Sequence, residues 1–241
     1  MIGSLLNGIK DLVYPPICIN CRQQRIPTNP FTGLCPRCTG RIKLNAPPFC
    51  LKCNRHLRET CPAPLCRNCR ERPLSFDFAY GACAYTPYLR GLIHQFKFHH
   101  KTYLKHVFVQ RMMDYVRLHN LDIDQFHAVV PMPLSAARQR ERGYNQSLLL
   151  AELIACRIDK PLWPKALRKT RHTVNQSALS RKERFTNVKG AFRINPSRRF
   201  RGANILIIDD LLTTGATASS AAEAVKAAQA KSVAVLTLAI A

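Results

Sequence analysis

Toward its C-terminus the sequence combines a strand pattern, a pair of acids and a small, hydroxyl-rich loop that leads into a helix. Residues 205–208 are apolar and mostly β-branched, which is typical of a strand buried on both faces. Asp209 and Asp210 end this predicted strand. A helix is predicted over about 216–230 and a last strand over 232–240. This order indicates an α/β fold with a parallel sheet, for which we expect about five strands.

The loop between this strand and the helix has the composition of an anion site. Thr213, Thr214 and Thr217 supply hydroxyl donors, and Gly215 lets the backbone approach a ligand closely. A helix N-terminus adds unpaired N–H groups and the positive end of the helix dipole. The loop has neither the Gly-Lys-Ser/Thr of a Walker loop nor a dinucleotide glycine fingerprint. It predicts a phosphate monoester site, where the two acids accept hydrogen bonds from ribose hydroxyls or face a magnesium ion.

Further basic side chains follow a second predicted strand in the middle of the chain. Residues 126–131 indicate a buried strand, and Pro131 and Pro133 stop regular structure after it. The loop expected there carries three arginines that suit a diphosphate, namely Arg138, Arg140 and Arg142. Lys97 ends a helix predicted over 87–100, where it could reach a phosphate or cap the helix.

The first third of the chain is defined by cysteines. Eight of the 11 form C-x2-C pairs, which are Cys18 and Cys21, Cys35 and Cys38, Cys50 and Cys53, and Cys66 and Cys69. Each turn points two thiolates at one tetrahedral ion, so four turns supply two structural zinc sites. A sequential pairing is the simplest, and the spacing also permits a cross-braced one. Cys61 and His56 lie near the last two pairs and could replace a ligand, with Cys61 favoured as a bystander. This segment has few large apolar residues, so we expect metal binding to stabilise it.

The chain is strongly basic, with 37 Lys and Arg against 14 Asp and Glu and a net charge of +23. Such a charge indicates nucleic acid or a phosphorylated ligand as a partner. Basic residues are dense over 138–201, which we interpret as a mobile lid over a ligand, a nucleic-acid track or both, with a solvated basic face as the alternative. The candidate DNA-binding residues are Arg168, Lys169, Arg171, Arg181, Lys182 and Arg184.

Localisation and domain organisation follow from composition. The chain has no apolar run long enough to span a bilayer, and its first residues lack the pattern of a secretion signal. We therefore expect a cytoplasmic protein without a membrane span. The cysteines divide the chain into an amphipathic start with a double zinc-ribbon module over 1–72 and a larger domain over 73–241.

Residues 205–217 resemble the motif of type I phosphoribosyltransferases that binds phosphoribosyl pyrophosphate (PRPP): four apolar residues, two acids, two apolar residues and T-T-G-x-T. Nearly the whole chain resembles the ComF/GntX branch of phosphoribosyltransferase-like competence proteins. This resemblance rests on the cysteine pairs, L-I-H-Q-F-K at 92–97, R-G-Y-N-Q-S at 142–147, T-V-N-Q-S-A-L-S-R-K-E-R at 173–184 and N-V-K-G-A-F at 187–192. It implies a type I phosphoribosyltransferase-like parallel sheet flanked by helices over 73–241, preceded by the small zinc-ribbon module.

The resemblance also implies a ligand and the residues that hold it. The ligand is PRPP with Mg²⁺, whose terminal phosphate is held by the Thr/Gly loop and whose ribose hydroxyls are held by the acids. The expected PRPP-binding residues are Asp209, Asp210, Thr213, Thr214, Gly215, Ala216 and Thr217, together with Lys97, Arg138 and Arg142.

Three functions remain open at this point. The resemblance implies a role in natural transformation, in which the protein binds incoming single-stranded DNA and contacts other DNA-uptake proteins. The alternative is an active phosphoribosyltransferase of nucleotide salvage, whose acceptor the resemblance does not supply. A nucleotide-sensing regulator ranks last, because the sequence has no helix-turn-helix and no finger spacing of a duplex reader.

Overall fold

A parallel sheet organises the larger part of the chain. The computed structural model describes residues 17–23, 32–57, 64–171, 181–195 and 200–241. Its main sheet has the strand order β1-β6-β5-β2, and β3 and β4 form a separate antiparallel pair. The strands are β1 Phe78–Ala84, β2 Ala128–Pro131, β3 Leu167–Lys169, β4 Phe192–Ile194, β5 Asn204–Leu212 and β6 Ser232–Ile240.

Helices connect the strands and cover the sheet. Their apolar residues recur at helical spacing, as in α3, where Leu89, Leu92, Ile93 and Phe96 are buried. The helices are α1 Pro36–Gly40, α2 Arg67–Glu71, α3 Pro87–Phe98, α4 Lys105–Leu118, α5 Ala136–Arg142, α6 Gln146–Arg157, α7 Arg181–Val188 and α8 Ala216–Ala227, with a 3₁₀ turn at Thr102–Leu104. Within the described ranges, no helix has both the length and the apolar character needed to cross a membrane.

The two faces of the sheet have separate cores, and the cysteine sets divide between them. On β6, Ala234 and Leu236 pack with α3, α4 and α6, whereas Val233 and Val235 pack with α8. The cysteines between 18 and 38 join the first core, and those between 50 and 69 join the second. The zinc-ribbon module therefore contacts both faces of the sheet.

The same module covers the outer edge of β1. The Asn45 N–H donates to the Ala82 carbonyl at 2.9 Å, and the Ala84 N–H donates to the Lys43 carbonyl at 3.0 Å. The other edge of β1 pairs with β6. Because an open strand edge can pair with another chain, the module protects the sheet as well as extending its cores.

The structure corrects the predictions near the ends of two strands. Strand β5 does not end at the two acids but continues to Leu212, because Leu211 and Leu212 keep pairing with Ala239 and Ile240 of β6. The loop expected after Pro131 contains helix α5, whose first turn is capped by the Ser135 hydroxyl. In the described residues the parallel sheet has four strands rather than about five.

Candidate functional site

Each cysteine set forms one compact group. The Sγ atoms of Cys18, Cys21, Cys35 and Cys38 lie within 4.8 Å of one another, as do those of Cys50, Cys53, Cys66 and Cys69. The Cys21–Cys35 and Cys53–Cys66 sulfur distances are 3.8 and 3.6 Å. A tetrahedral ion with Zn–S bonds of about 2.3 Å separates its sulfurs by about 3.8 Å. The two sites therefore fit zinc, and the pairing is sequential rather than cross-braced.

The candidate substitute ligands do not enter the second of these sites. His56 Nδ1 lies 2.8 Å from the Ala46 carbonyl oxygen, outside the group of four sulfurs. Cys61 lies outside the described residues. We call residues 18–38 the first ribbon and residues 50–69 the second ribbon.

A cavity of about 400 Å³ lies where β2 and β5 end and α8 begins. In open α/β sheets, ligands bind at the carboxyl ends of the strands, where such a crevice forms. The cavity brings together residues that are far apart in the sequence. Those predicted to bind PRPP that line it are Lys97, Arg138, Arg142, Asp209, Asp210, Thr213, Gly215, Ala216 and Thr217. The Thr214 side chain is buried beside it, with its Oγ1 accepting from the Ala216 N–H at 3.4 Å.

The two acids differ in their surroundings. Asp210 is 4% exposed and forms an ion pair with Lys97 of α3. Asp209 is half-buried at the cavity, and its Oδ1 accepts from the Ser147 hydroxyl and from the Asp210 N–H, both at 2.9 Å. The pair therefore presents to the cavity one carboxylate that is neutralised by Lys97 and one that is held by hydrogen bonds.

Burial and charge separate the pKa values of these acids. Burial, together with the charge of Asp210, raises the pKa of Asp209 to about 7. Burial also acts to raise the pKa of Asp210, but the charge and hydrogen bond of Lys97 outweigh it and lower that pKa below its usual range. At neutral pH Asp210 is thus ionised, while Asp209 is partly protonated.

Five cations line the same cavity, namely Lys97, Arg138, Arg142, Lys169 and Arg184. Burial lowers the pKa of Lys169 to about 8, with Arg138 acting in the same direction, and burial also lowers the pKa of Arg142. The Arg142 guanidinium lies over the Phe98 ring, 4.8 Å from its centre. Partly buried cations lose hydration and repel one another. A polyanion that binds in the cavity would offset both costs, so the charges favour a polyanionic ligand.

The backbone of the loop is shaped by Gly215. This residue precedes α8 with φ of 81°, a left-handed conformation that side chains disfavour. A Cβ atom at this position would lie 3.2 Å from Leu74 Cδ1, so the glycine also permits close packing. We call residues 213–217 the phosphate loop, after the ligand predicted for them.

The basic residues assigned to DNA do not form one set. Lys169 and Arg184 line the cavity, whereas Arg168 is exposed on β3. Arg171 donates to the carbonyls of Asn187 and Lys189, both at 3.0 Å. Arg181 and Lys182 lie in the first turn of α7. Arg140, a diphosphate candidate, is exposed and does not line the cavity.

Sequence reasoning missed Gln146 and Ser147. Both are buried in the first turn of α6; Gln146 lines the cavity and Ser147 holds Asp209. Asn145 caps this helix by accepting from the Ser147 N–H, and it donates to the Met132 carbonyl at the end of β2. The sequence feature that could have identified them is the R-G-Y-N-Q-S run, which indicated the family but did not indicate a contact with the two acids.

Comparisons with known proteins match the chain to one domain family and to several named relatives. The double zinc ribbon domain family matches residues 9–72. Competence protein F of Haemophilus influenzae is 32% identical over 206 residues, which cover 83% of this chain and 86% of the relative. DNA utilization protein YhgH of Salmonella typhimurium is 27% identical over 88% of this chain and 91% of the relative. Competence protein ComFC of Bacillus subtilis is 36% identical over 41% of this chain and 38% of the relative.

Among solved structures, the chain is similar to adenine phosphoribosyltransferase from Saccharomyces cerevisiae. The TM-score is 0.35 at 17% sequence identity, with 56% of this chain and 69% of that chain covered. The extent and identity of the match to competence protein F decide the assignment. With its parallel sheet flanked by helices and its double zinc ribbon, the chain belongs to the competence protein F (ComF) family.

Proposed function

We propose that the protein binds PRPP with Mg²⁺ in the cavity at the ends of β2 and β5. The observation that carries this proposal is that two acids, five cations and the N-terminus of α8 converge on one cavity. The phosphate loop would hold the terminal phosphate through backbone N–H groups and threonine hydroxyls. Asp209 and Asp210 would accept from the ribose hydroxyls, and the cations would face the diphosphate. Mg²⁺ would bind mainly through diphosphate oxygens and water.

Titration calorimetry of PRPP with and without Mg²⁺ tests the proposal on the unmodified protein. We expect saturable binding that requires the ion, because the diphosphate carries most of the ligand charge. Ribose phosphate, which lacks the diphosphate, should bind more weakly. Absence of heat with PRPP at millimolar concentration, for protein with full zinc content, would contradict PRPP binding.

We further propose that the protein handles incoming single-stranded DNA in the cytoplasm during DNA uptake. Its relatives are named competence protein F and DNA utilization protein, and its net charge of +23 supports a polyanionic partner. Phe98 is 48% exposed beside the cavity, its ring centre lies 4.9 Å from that of His94, and Arg142 lies against it. Bases of single strands stack on such aromatic and guanidinium surfaces, while phosphates bind the surrounding cations.

Stacking and charge can be separated with two variants. Phe98→Ala should weaken binding of a short oligonucleotide roughly tenfold and leave the salt dependence unchanged, because a stacked base contributes about 1–3 kcal/mol. Replacing Arg168, Arg181 and Lys182 by alanine should lower the slope of log affinity against log salt by about 0.7 for each phosphate that the variant no longer neutralises. Fluorescence anisotropy over a salt series measures both effects.

Each variant has a control that removes a comparable apolar side chain or the same number of charges elsewhere in the molecule. Leu118→Ala removes an exposed apolar side chain from α4, where it is 62% exposed. The triple alanine variant of Arg117, Lys160 and Lys231 removes the same charge near the amino ends of the strands. Both controls should bind like the unmodified protein. Negligible affinity of that protein at low salt, or affinity without a salt slope, would exclude the DNA-binding proposal.

The raised pKa of Asp209 predicts a pH dependence of PRPP affinity. As the pH falls through about 7, Asp209 takes up a proton and loses its capacity as an ionised acceptor, so affinity should fall. The groups that face it are Asp210, Ser147, Lys97 and Lys169. Calorimetry between neutral and mildly acidic pH measures the effect. In Asp209→Asn only the titrations of PRPP itself and of Lys169 should remain, and an equally steep fall in affinity there would refute the assignment to Asp209.

A second candidate function, phosphoribosyl transfer to an acceptor, shares this cavity. The observation that favours it is the group of five cations that line the cavity. These cations would stabilise departing pyrophosphate as well as bound PRPP. Pyrophosphate release in the presence of purines, pyrimidines and quinolinate-like acceptors tests it. Rapid release with a free base would favour a salvage enzyme over a DNA-handling protein.

A further inference from the structure

Two side chains of the second ribbon hold the backbone of the phosphate loop. Arg55 Nη2 donates to the Thr213 carbonyl at 2.7 Å, and Asn68 Nδ2 donates to the Thr214 carbonyl at 3.1 Å. Arg55 lies two residues after the metal ligand Cys53, and Asn68 lies between the ligands Cys66 and Cys69. The contacts therefore join residues of the metal-binding turns directly to consecutive carbonyls of the loop.

Peptide geometry gives these contacts a consequence for the loop N–H groups. In a planar trans peptide the C=O and the following N–H point in opposite directions. Because the Thr213 carbonyl points toward the ribbon, the Thr214 N–H points away from the ribbon. Because the Thr214 carbonyl also points toward the ribbon, the Gly215 N–H likewise points away from it. Gly215 lines the cavity. The ribbon thus orients donors that an anion in the cavity would use.

The segment that holds the loop is itself hydrogen-bonded to the sheet and its helices. Asn54, next to Cys53, accepts through Oδ1 from the Gly81 N–H of β1 at 3.0 Å and from the Tyr115 hydroxyl of α4 at 2.9 Å. The Ser75 N–H, beyond α2, donates to the Ser219 hydroxyl of α8 at 2.9 Å. The ribbon is therefore fixed to the sheet on one side and to the loop on the other, and the segment that follows α2 is fixed to α8.

We propose that Arg55 and Asn68 are positioning residues through which the second metal site sets the phosphate affinity of the cavity. The inference rests on the proposed binding of PRPP and extends it to regulation by metal occupancy. When zinc is bound, its four thiolate ligands fix the turns that carry Arg55 and Asn68. When zinc dissociates, these turns are no longer constrained, and the loop becomes disoriented before the sheet unfolds. The first ribbon, which packs on the other face, has no such effect.

Asn68→Ala and Arg55→Met test the positioning role while all eight cysteines stay in place. Each removes one donor and leaves a loop carbonyl unpaired, so we expect a roughly tenfold rise in the Kd for PRPP. Amide hydrogen exchange at residues 213–217 should speed up, with zinc content unchanged and only a small fall in the unfolding midpoint from the unpaired carbonyl. Arg55→Lys, which keeps the charge and a donor, should recover most of the affinity.

Matched controls come from the first ribbon. Arg37→Met removes an arginine at the place that Asn68 occupies in the second ribbon, between two cysteine ligands. Asn20→Ala removes an asparagine whose Nδ2 donates to Cys38 Sγ at 3.3 Å. Both controls should leave PRPP affinity and loop exchange unchanged, because neither side chain contacts the phosphate loop.

Metal occupancy is tested with Cys66→Ser and Cys35→Ser, each followed by zinc content, loop exchange and PRPP titration. We expect Cys66→Ser to raise loop exchange and the Kd for PRPP far more than Cys35→Ser.

Unchanged affinity and unchanged loop exchange in Asn68→Ala and Arg55→Met would overturn the proposal. If the unmodified protein does not bind PRPP, the proposed function is wrong, while the exchange measurements alone still decide whether the ribbon orders the loop.

Discussion

Replacing Asp209 and Asp210 together by asparagine is expected to abolish measurable PRPP binding. Hydrogen bonds to charged groups contribute about 1.5–3 kcal/mol each, so the loss of two carboxylate acceptors should weaken binding by about 10²- to 10⁴-fold. Titration calorimetry with Mg²⁺ measures this loss. Binding of an oligonucleotide should not weaken, because the change removes negative charge from a basic surface.

Two further variants make this result interpretable. Asp209→Asn alone leaves the ion pair of Lys97 with Asp210 in place, and we expect it to lose at least roughly tenfold in PRPP affinity. Asp124→Asn, at an exposed position before β2, should bind normally. Unfolding curves and zinc content confirm that each variant is folded. Near-normal affinity in the double variant would mean that PRPP, if bound, is held elsewhere.

Lys97→Ala is expected to destabilise the fold by about 3–5 kcal/mol, because it leaves the Asp210 carboxylate buried without its partner. The Lys97 and Asp210 side chains are 17% and 5% exposed. The pKa of Asp210 should rise in the variant, so the penalty should be largest at neutral pH and shrink as acidification neutralises the acid. Urea unfolding at several pH values measures both effects.

A second ion pair of the protein provides the control. Lys226 Nζ lies 2.6 Å from Asp77 Oδ1, but these side chains are 35% and 33% exposed. Solvent screens such a pair, so Lys226→Ala should lower the free energy of unfolding by no more than about 1 kcal/mol. Equal losses in the two variants would show that burial does not distinguish the two pairs.

The sequence predicted best what depends on local spacing. Four C-x2-C turns implied two metal sites, and the simplest pairing is confirmed by the sulfur groups. The strand before Asp209, the loop and the following helix were also recognised, since hydrophobic period and helix-start signals are local. Strand β5 continues past the acids because its pairing with β6 overrides the polar residues, which the sequence alone does not reveal.

Contacts between distant segments could not be predicted. Lys97 was considered for a phosphate or a helix end, but its partner is Asp210, more than a hundred residues away. Lys169 was assigned to DNA, and the sequence did not reveal that it lines the cavity. The contacts of Arg55 and Asn68 with the phosphate loop join two motifs that lie in separate predicted domains. No periodicity or spacing encodes such pairings, because they depend on the order of strands in the sheet.

The pairing of β1 with β6 has a consequence for synthesis on the ribosome. The first strand of the sheet finds its neighbour only when residues 232–240 have emerged. Until then β1 has one edge protected, by the segment around Lys43 and Asn45, which is translated before it. Early metal loading would therefore shield this one edge of β1 from intermolecular strand pairing, and zinc starvation during growth should increase aggregation of newly made protein.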